Sequence, residues 1–273
     1  MNNDMSSLKD LSSKIGINLS DKQLDDFSKY YNLLIEWNSF MNLTAITEFD
    51  QVILKHFVDS LEIVQAVDID IVSKLIEGEE VSVIDVGTGA GFPSLPLKIA
   101  FPNLHVTMLD SLNKRVKFLD EVIDKLELSG IDAVHGRAED YAVPDKFRER
   151  FDIVVSRAVA NLCTLSEYCI PYVKPGGVFI AYKAEELLQK KKYSDDELSG
   201  LDKDDIKFAL SKNSESELAK KIINILGGRI EKIYEYNLPD SDLFRALVVV
   251  RKEKAAPLKY PRKAGLPSKE PIY

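Results

Sequence analysis

Cysteine is scarce in this chain, which has 273 residues and only two cysteines. Cys163 and Cys169 cannot form the disulfide framework of a small secreted domain, so we expect a protein of the reducing cytoplasm. No apolar run is long enough to cross a bilayer, and the polar start MNNDMSSLKD lacks the profile of a signal peptide. These absences predict a cytoplasmic protein without a membrane partner.

Positive charge is also in deficit, because the formal net charge is −8 at pH 7. This argues against a large general surface for phosphate groups, although a folded protein can segregate its charge. The segment 251–273 does so, since its seven basic and two acidic side chains give a local charge of +5. Charge alone favours a solvated tail over an RNA contact. The prolines and tyrosines of the tail predict an extended segment that lies on a surface.

Residues 1–80 are predicted to form a helical region that packs on the core of the protein. Ser20 and Gln23 have the spacing of a capping box. The apolar residues that follow share one helical face: Leu24, Phe27, Tyr31, Leu34 and Trp37. Helical spacing explains Trp37 fully, so we read it as a core residue. A second helix is predicted from Phe49 to Ala66.

The pattern changes at Val81 to short apolar runs that alternate with amphipathic segments. The runs predicted as buried strands are 81–86, 105–110, 131–135, 151–155 and 177–182. The amphipathic segments between them, at 93–100, 112–128 and 161–170, are predicted helices. Strands separated by helices predict an α/β, Rossmann-like fold with a mainly parallel sheet and right-handed crossovers.

The second half of the chain adds three features to this sheet. Two runs close in sequence, Arg229–Tyr236 and Phe244–Val250, predict an antiparallel hairpin at the sheet edge. A polar stretch at about 190–216 has few large apolar residues and predicts an exposed, mobile insertion. We therefore divide the chain into a helical region (1–80), an α/β domain with its insertion (81–252) and a basic tail (253–273).

A glycine loop, Asp85–Gly91, follows the first predicted strand and precedes a helix. Dinucleotide sites use such a loop too, but their G-x-G-x-x-G spacing requires a glycine at the position of Phe92. Asp85 would also repel a pyrophosphate at this helix N-terminus, whereas it would not repel the cationic sulfonium and amino group of S-adenosylmethionine. The spacing therefore favours this methyl donor over NAD, with Gly87 and Gly89 as candidate contacts.

The next two strands end in residues that suit the rest of such a donor. Asp110 ends the second strand, where a carboxylate can accept both ribose hydroxyls; capping of the following helix is the alternative role. The third strand leads into Gly136–Asp140, where a main-chain amide or an acidic side chain can read an adenine.

The group that receives the methyl can be narrowed by asking which catalytic motifs the sequence lacks. The fourth strand continues into Ser156–Val159, with neither an N-P-P-Y stretch to grip an exocyclic amine nor a Pro-Cys nucleophile to activate a pyrimidine. Cys163 and Cys169 lie on an apolar helix and are read as core residues. A group that is already nucleophilic, such as guanine N7, fits because alignment then replaces a general base. This reasoning removes alternatives and does not identify N7.

Several stretches resemble one family, the small-subunit ribosomal RNA guanine-N7 methyltransferases, also called glucose-inhibited division protein B. The stretches that carry the resemblance cover nearly the whole chain: Trp37–Asn38, Asn42–Thr44, His56–Ser60, Asp85–Pro93, Leu109–Leu112, Lys114–Leu119, Arg137–Glu139, Ser156–Ala158, Lys174–Gly177, Tyr260–Arg262 and Pro267–Lys269. The resemblance implies a class I methyltransferase that transfers a methyl group to N7 of one guanine in the decoding-region loop of 16S ribosomal RNA.

The resemblance also implies roles for individual residues. The donor contacts would involve Gly87, Phe92, Ala138, Glu139 and Arg157, with Asp110 near the ribose. Arg157 is a candidate for positioning the donor or the RNA, and no catalytic base is expected. The candidates for contact with RNA are His56, Lys114, Arg115 and Arg262.

Each of these residues also has an ordinary structural reading, and other functions remain open. Arg157 could form a surface ion pair, His56 could be structural, and Lys114 with Arg115 could form a solvated helix face. A small-molecule methyltransferase, a non-catalytic RNA-binding assembly protein and, more distantly, an NAD-linked oxidoreductase are the alternatives. We expect a monomer without a metal, which acts on 16S ribosomal RNA or on a small-subunit particle.

Overall fold

A computed structural model describes residues 4–67, 80–157, 160–184 and 215–273 of the chain. Its centre is a seven-stranded sheet in the order β3-β2-β1-β4-β5-β7-β6. The strands are β1 (Ser82–Val86), β2 (His105–Asp110), β3 (Ile131–His135), β4 (Phe151–Arg157), β5 (Val173–Ala184), β6 (Gly228–Asn237) and β7 (Phe244–Lys252). The first five strands run parallel, whereas β7 is antiparallel to both β5 and β6. This arrangement confirms the predicted mainly parallel sheet with an antiparallel edge hairpin.

Helices connect the parallel strands, as the alternating pattern predicts. They are α6 (Ser94–Ala100) after β1, α7 (Asn113–Leu126) after β2, the short α8 (Ala138–Tyr141) after β3 and α9 (Leu162–Cys169) after β4. A helix α10 (Glu215–Ile225) precedes β6, and a short helix α11 (Leu266–Lys269) lies in the C-terminal tail. The buried side chains of these elements form two clusters, one on each face of the sheet.

The N-terminal helices belong to one of these two clusters and do not form a separate core. They are α1 (Ser6–Lys14) and α2 (Asp21–Met41), and α2 begins with the predicted capping box between Ser20 and Gln23. The most deeply buried positions of α2 are Phe27, Tyr30 and Leu34, all with no exposed surface. The sequence pattern placed Tyr31 on the buried face of this helix. In the structure Tyr30 lies at the centre of that face, and Tyr31 is only partly buried.

Trp37 lies at the edge of the same face. It is partly buried against the core, and its ring centroid is 5.7 Å from that of Phe118 on α7.

The helix predicted from Phe49 to Ala66 is confirmed in its bounds, but it is not a regular α-helix throughout. The structure has α3 (Phe49–Val52), a π-helical turn (Ile53–Val58), α4 (Asp59–Leu61) and α5 (Ile63–Ala66). Two carbonyl groups in the π turn accept bonds from side chains, that of Lys55 from Arg157 and that of His56 from Ser60. Such bonds compete with the regular helical ladder, and π turns are frequent at functional sites.

The tail and the insertion complete the chain. Tyr260 and Pro267 of the tail are buried against the domain, so the tail is not a solvated segment along its whole length. The predicted insertion at 190–216 lies outside the described residues except for Glu215 and Ser216, which begin α10. Within the described residues, no helix is both long and apolar enough to cross a membrane.

Candidate active site

A cleft of about 330 Å³ opens where β1, β2 and β3 end. Parallel strands bring their carboxyl ends to one edge of a sheet, which is where α/β folds bind ligands. Residues from five segments of the chain line the cleft: Val86, Gly87, Leu109, Ser111, Gly136, Arg137, Ala138, Glu139, Tyr168, Gly265 and Ser268. Of the predicted donor contacts, Gly87, Ala138 and Glu139 lie in this lining.

The glycine loop forms the floor between β1 and α6. Gly89 has φ of +64° and a Cβ placed on it would meet no atom within 4 Å, so its free side faces open space. At Gly91, with φ of +94°, a Cβ would lie 2.3 Å from the side chain of Leu95. The first position therefore leaves room for a ligand beside the backbone, and the second permits close packing of the loop on its own helix.

Asp110 ends β2 beside this loop and is 2% exposed. Its Oδ2 accepts the Gly89 N–H at 2.9 Å and a bond from Arg115 at 3.3 Å, while Oδ1 accepts the Leu112 N–H at 2.8 Å. A carboxylate accepts about four hydrogen bonds, so three protein donors leave capacity for about one more. Asp110 thus holds the glycine loop and the start of α7 together in addition to any contact with a ligand.

Asp85 lies under the loop, with no exposed surface. Its Oδ2 accepts a bond from the Thr88 hydroxyl at 2.8 Å and from the Ser94 N–H at 3.3 Å. Its Oδ1 has no hydrogen-bond partner among the described residues. Burial raises the pKa of this carboxyl to about 7, although the bonds from Ser94 and Thr88 act against the shift. The carboxyl is thus enclosed behind the loop and does not line the cleft.

Glu139 stands at the opposite side of the cleft, in the first turn of α8. Its Oε1 accepts the N–H of Gly265 at 2.8 Å, a bond between residues 126 positions apart in sequence. The neighbouring Ala138 carbonyl accepts the buried hydroxyl of Tyr172 at 2.6 Å. Both residues proposed to face an adenine are therefore fixed by distant parts of the chain.

A second group of predicted residues meets at the end of β4, outside the cleft lining. The guanidinium of Arg157 lies 4.9 Å from the ring centroid of Phe92 and donates to Asp59 at 3.2 Å. The ring of His56 stacks on Phe92 with 4.4 Å between centroids. Asp59 also accepts the Tyr236 hydroxyl at 3.0 Å. The glycine loop, the π turn and β4 thus converge here, and we call these side chains of His56, Asp59, Phe92 and Arg157 the Arg157 cluster.

Both ring nitrogens of His56 have close polar neighbours. Nδ1 lies 3.1 Å from an Arg157 nitrogen and 3.1 Å from the Lys55 carbonyl oxygen, and Nε2 lies 3.0 Å from the Thr44 hydroxyl. Accepting from Arg157 places the ring proton on Nε2, whereas donating to Lys55 places it on Nδ1. Burial, assisted by the charge of Arg157, lowers the pKa of His56 to about 3. His56 is a neutral ring with both nitrogens engaged, and it is not poised to accept a proton.

The predicted RNA contacts differ in how accessible they are. Lys114 is exposed at the start of α7, and its ammonium lies 3.4 Å from the Met41 carbonyl. Arg115 pairs with Asp110 and has a side chain that is 34% exposed. His56 is buried, and Arg262 forms an ion pair with the buried Glu167. Lys114 is thus the most open of the four to a phosphate group.

Sequence reasoning missed Tyr168, Ser111, Gly265 and Ser268 as lining residues of the cleft. Ser111 directly follows Asp110, so the strand end was a signal for it. Tyr168 precedes Cys169 on a helix that was read only for its core residues. Gly265 and Ser268 lie far from the loop in sequence, and no local pattern indicates that the tail returns to this edge of the sheet.

The order of the strands, with β7 antiparallel beside β5, and the glycine loop after β1 define the class I fold of S-adenosylmethionine-dependent methyltransferases. A family model described as rRNA small subunit methyltransferase G matches residues 23–218. The chain is 46% identical over 258 residues to the ribosomal RNA small subunit methyltransferase G of Lachnoclostridium phytofermentans, an alignment that covers 94% of this chain and 93% of the relative. The chain belongs to this family, which confirms the resemblance inferred from its motifs.

Two further similar proteins are a sequence relative and a solved structure. The protein of the same name from Acetivibrio thermocellus is 46% identical over 260 residues, which are 95% of this chain and 93% of the relative. A SAM-dependent methyltransferase of solved structure from Aquifex aeolicus aligns over 77% of this chain and 96% of its own, with 18% identity and a TM-score of 0.47. The fold assignment rests on the strand order, and the family assignment rests on the sequence relatives.

Proposed function

We propose that this protein transfers a methyl group from S-adenosylmethionine to N7 of a guanine in 16S ribosomal RNA, with the donor bound in the cleft at the ends of β1–β3. The observation that carries the location is the lining of that cleft, where Gly87, Ser111 and Ala138 follow the ends of three successive strands. The RNA substrate follows from membership of the family. The guanine N7 specificity follows from the same family and is consistent with the chemistry of the site.

Residues in and beside the cleft fit the parts of this donor. Gly89 and Asp110 lie next to the lining residues Gly87 and Ser111; the open side of Gly89 leaves space for a ligand, and the Asp110 carboxylate has remaining capacity for a hydroxyl group. Glu139 offers a fixed carboxylate opposite them, which can accept a bond from an amino group. Bound there, the donor supplies an electrophilic methyl carbon on a positively charged sulfur.

The side chains of the Arg157 cluster favour a methyl acceptor from which no proton has to be removed. Both nitrogens of His56 are hydrogen-bonded, and its low pKa keeps the ring neutral. Asp59, the carboxylate of this cluster, is paired with Arg157 and Tyr236. Guanine N7 carries no proton, so a site built from paired side chains can act by aligning the two reactants and excluding water.

Arg157 is a positioning residue in this scheme. Its side chain is only 14% exposed and is held between Phe92, Asp59 and the π turn. A guanidinium fixed in this way presents a constant positive charge at the end of β4, where carboxylate or phosphate oxygens can approach.

We include in the proposal that the protein works as a monomer in the cytoplasm, and that Lys114 contacts RNA phosphate.

Methyl incorporation from labelled S-adenosylmethionine tests the function. We expect label in 16S ribosomal RNA, offered either naked, in an assembly intermediate or in the mature small subunit. Nuclease digestion and mass spectrometry should then find 7-methylguanosine at one position. Methylation only of base amines or ribose hydroxyls would exclude the N7 assignment. A KM for RNA that does not change with salt concentration would contradict an RNA substrate, because phosphate contacts release counterions.

A further inference from the structure

The C-terminal tail reaches the cleft proposed for the donor and supplies part of its wall. Gly265 and Ser268 line this cleft together with Ala138 and Glu139. The turn at Gly265 has φ of +81° and directs its N–H at the Glu139 carboxylate, 2.8 Å away. The position of Glu139 in the cleft therefore depends on a segment more than a hundred residues further along the chain.

The beginning of the tail is fixed by Arg148, which is 8% exposed. Its guanidinium donates to the carbonyl groups of Ala256, Pro257 and Tyr260, at distances of 2.8, 3.1 and 2.7 Å. Tyr260 is itself buried. This clamp holds the tail on the domain, but it ends five residues before the turn at Gly265.

Arg262 provides a second clamp, much closer to the cleft. Its Nε lies 2.9 and 3.1 Å from the two carboxylate oxygens of Glu167, and one terminal nitrogen lies 2.7 Å from Oε2. The Arg262 backbone N–H donates to Oε1 at 2.7 Å, and Glu167 is 1% exposed. A bidentate pair with a buried carboxylate has a fixed geometry, which a surface ion pair does not. Thr164 adds a bond to the Pro267 carbonyl at 3.1 Å.

The partner of Arg262 is placed so that this clamp acts on the cleft. Glu167 directly precedes Tyr168, which lines the cleft from α9. Three residues after Arg262 comes Gly265, which holds Glu139. The ion pair therefore connects α9, which carries Tyr168, to the turn at Gly265, which binds Glu139.

We propose that Arg262 is a positioning residue for donor binding, which acts through Glu167 to seat the turn at Gly265 and so fixes the Glu139 carboxylate. This inference rests on the proposed donor site and replaces the sequence-based reading of Arg262 as an RNA contact. Without the ion pair, donor binding must also order the tail, and the fraction of molecules that can bind falls. The apparent affinity for the donor then falls by the same factor.

Calorimetric titration with S-adenosylhomocysteine tests the proposal on the full-length chain. Arg262→Ala is expected to raise the Kd about tenfold, and to raise the KM for the donor while kcat at saturating donor stays within about twofold. Lys263→Ala is the matched control, because it removes the same charge from the neighbouring exposed position. Its donor Kd should remain within about twofold of the wild-type value. A Kd for Arg262→Ala less than threefold above wild type would overturn the proposal, as would an equal rise for Lys263→Ala.

A second variant guards against misfolding, since Arg262→Ala leaves a buried carboxylate without its partner. The double substitution Arg262→Gln with Glu167→Gln removes both charges and keeps groups that can form hydrogen bonds. It cannot make the bidentate pair, so its Kd should also rise threefold or more, and a smaller rise in this folded variant would contradict the proposal. Thermal unfolding without ligand confirms that each variant is folded.

The wild-type chain provides a measurement that requires no substitution. Coupling between two sites is reciprocal, so a donor whose binding depends on the tail must in turn stabilise the tail. Hydrogen exchange in the segment 261–270 should slow when S-adenosylhomocysteine saturates the protein. Unchanged exchange there would overturn the proposal even if the variants fail to fold.

The outcomes separate this inference from the proposed donor site. If the site is correct and the tail plays no part, Asp110→Ala weakens binding of S-adenosylhomocysteine while Arg262→Ala does not. If Arg262 is an RNA contact, Arg262→Ala raises the KM for RNA and leaves the donor Kd unchanged. If the donor binds elsewhere, neither variant changes the donor Kd.

Discussion

Individual side chains in this protein carry more than one structural task, and Asp110 shows this most clearly. Its carboxylate joins β2 to the glycine loop through Gly89 and also binds the N–H of Leu112, the residue before α7. That bond reaches none of the N–H groups inside the helix, so Asp110 does not cap α7, which was its alternative role. A ligand at this carboxylate would bind to a group that the protein has already oriented.

Asp110→Ala should weaken binding of S-adenosylhomocysteine about 10- to 100-fold. Hydrogen bonds to a charged group contribute about 1.5–3 kcal/mol, which corresponds to that range. Calorimetry measures the affinity, and Asp124→Ala provides the control at an exposed carboxylate on the far end of the same helix. An unchanged affinity in folded Asp110→Ala protein would remove Asp110 from the donor site.

His56 makes the stability of the protein depend on pH. Its pKa in the folded protein is about 3, below the ordinary value of 6.5. The unfolded chain therefore binds a proton in the interval between these values that the folded protein does not bind. The stability contribution is present above pH 6.5 and is lost progressively as the pH falls towards 3.

The variant His56→Gln should reduce this dependence, since an amide can bond to Arg157 and Thr44 without titrating. Between pH 6.5 and 5 the wild-type protein should lose about 1.5 kcal/mol more unfolding free energy than the variant. Urea unfolding at several pH values measures the difference. Burial raises the pKa of Glu62 and Asp85 to about 7, which acts in the opposite direction, but both groups are common to the two proteins. Parallel curves for wild type and variant would show that His56 titrates normally.

At the scale of elements, helix α2 supports the glycine loop from outside the sheet. The hydroxyl of Tyr30, on a side chain with no exposed surface, donates to the carbonyl of Ala90 in the loop. The Tyr30 ring also packs near Phe92, with 5.4 Å between centroids. The loop is thus held both by its own strand and helix and by a helix of the N-terminal region.

Tyr30→Phe should destabilise the protein by about 1–3 kcal/mol, because it leaves a buried carbonyl without its donor. Tyr31→Phe is the matched control, since the Tyr31 hydroxyl bonds to the Thr47 carbonyl at an exposed position. We expect the control to change stability by less than about 0.5 kcal/mol. Chemical denaturation measures both variants. Equal effects would mean that the bond to the loop has no special importance.

The π turn is the element that the sequence pattern describes least well. Apolar spacing from Phe49 to Ala66 is compatible with a regular helix, and local pattern alone contains no sign of the interruption. Within the interruption, the Lys55 carbonyl accepts a bond from Arg157, which is about a hundred residues away. A long-range side-chain bond of this kind cannot be read from periodicity.

At the scale of the whole molecule, the N-terminal helices and the sheet share one hydrophobic cluster. That cluster joins Leu8 and Phe27 of the helices to Val83 and Met108 of the strands. The division of the chain at residue 80 is therefore a change of pattern along the sequence, and the two parts share their core.

A shared core predicts that both parts unfold together. Trp37 is the single tryptophan of the chain and lies in the N-terminal region, so its fluorescence reports on that region. Far-ultraviolet circular dichroism reports on all the helices and strands. In urea the two signals should change with the same midpoint. A fluorescence transition at a clearly lower urea concentration would show that the N-terminal helices unfold separately.

The sequence by itself determined the order of the strands along the chain, the glycine loop and Asp110 at the following strand end. These features depend on local periodicity and on backbone conformations that only glycine adopts easily, so neighbouring residues are sufficient to indicate them. Only the tertiary structure decided that the tail lines the cleft, that Glu167 pairs with Arg262, and that Arg157 bonds to a carbonyl group in the π turn. These contacts join residues about a hundred positions apart, and no local pattern encodes which distant carboxylate or carbonyl a given side chain will meet.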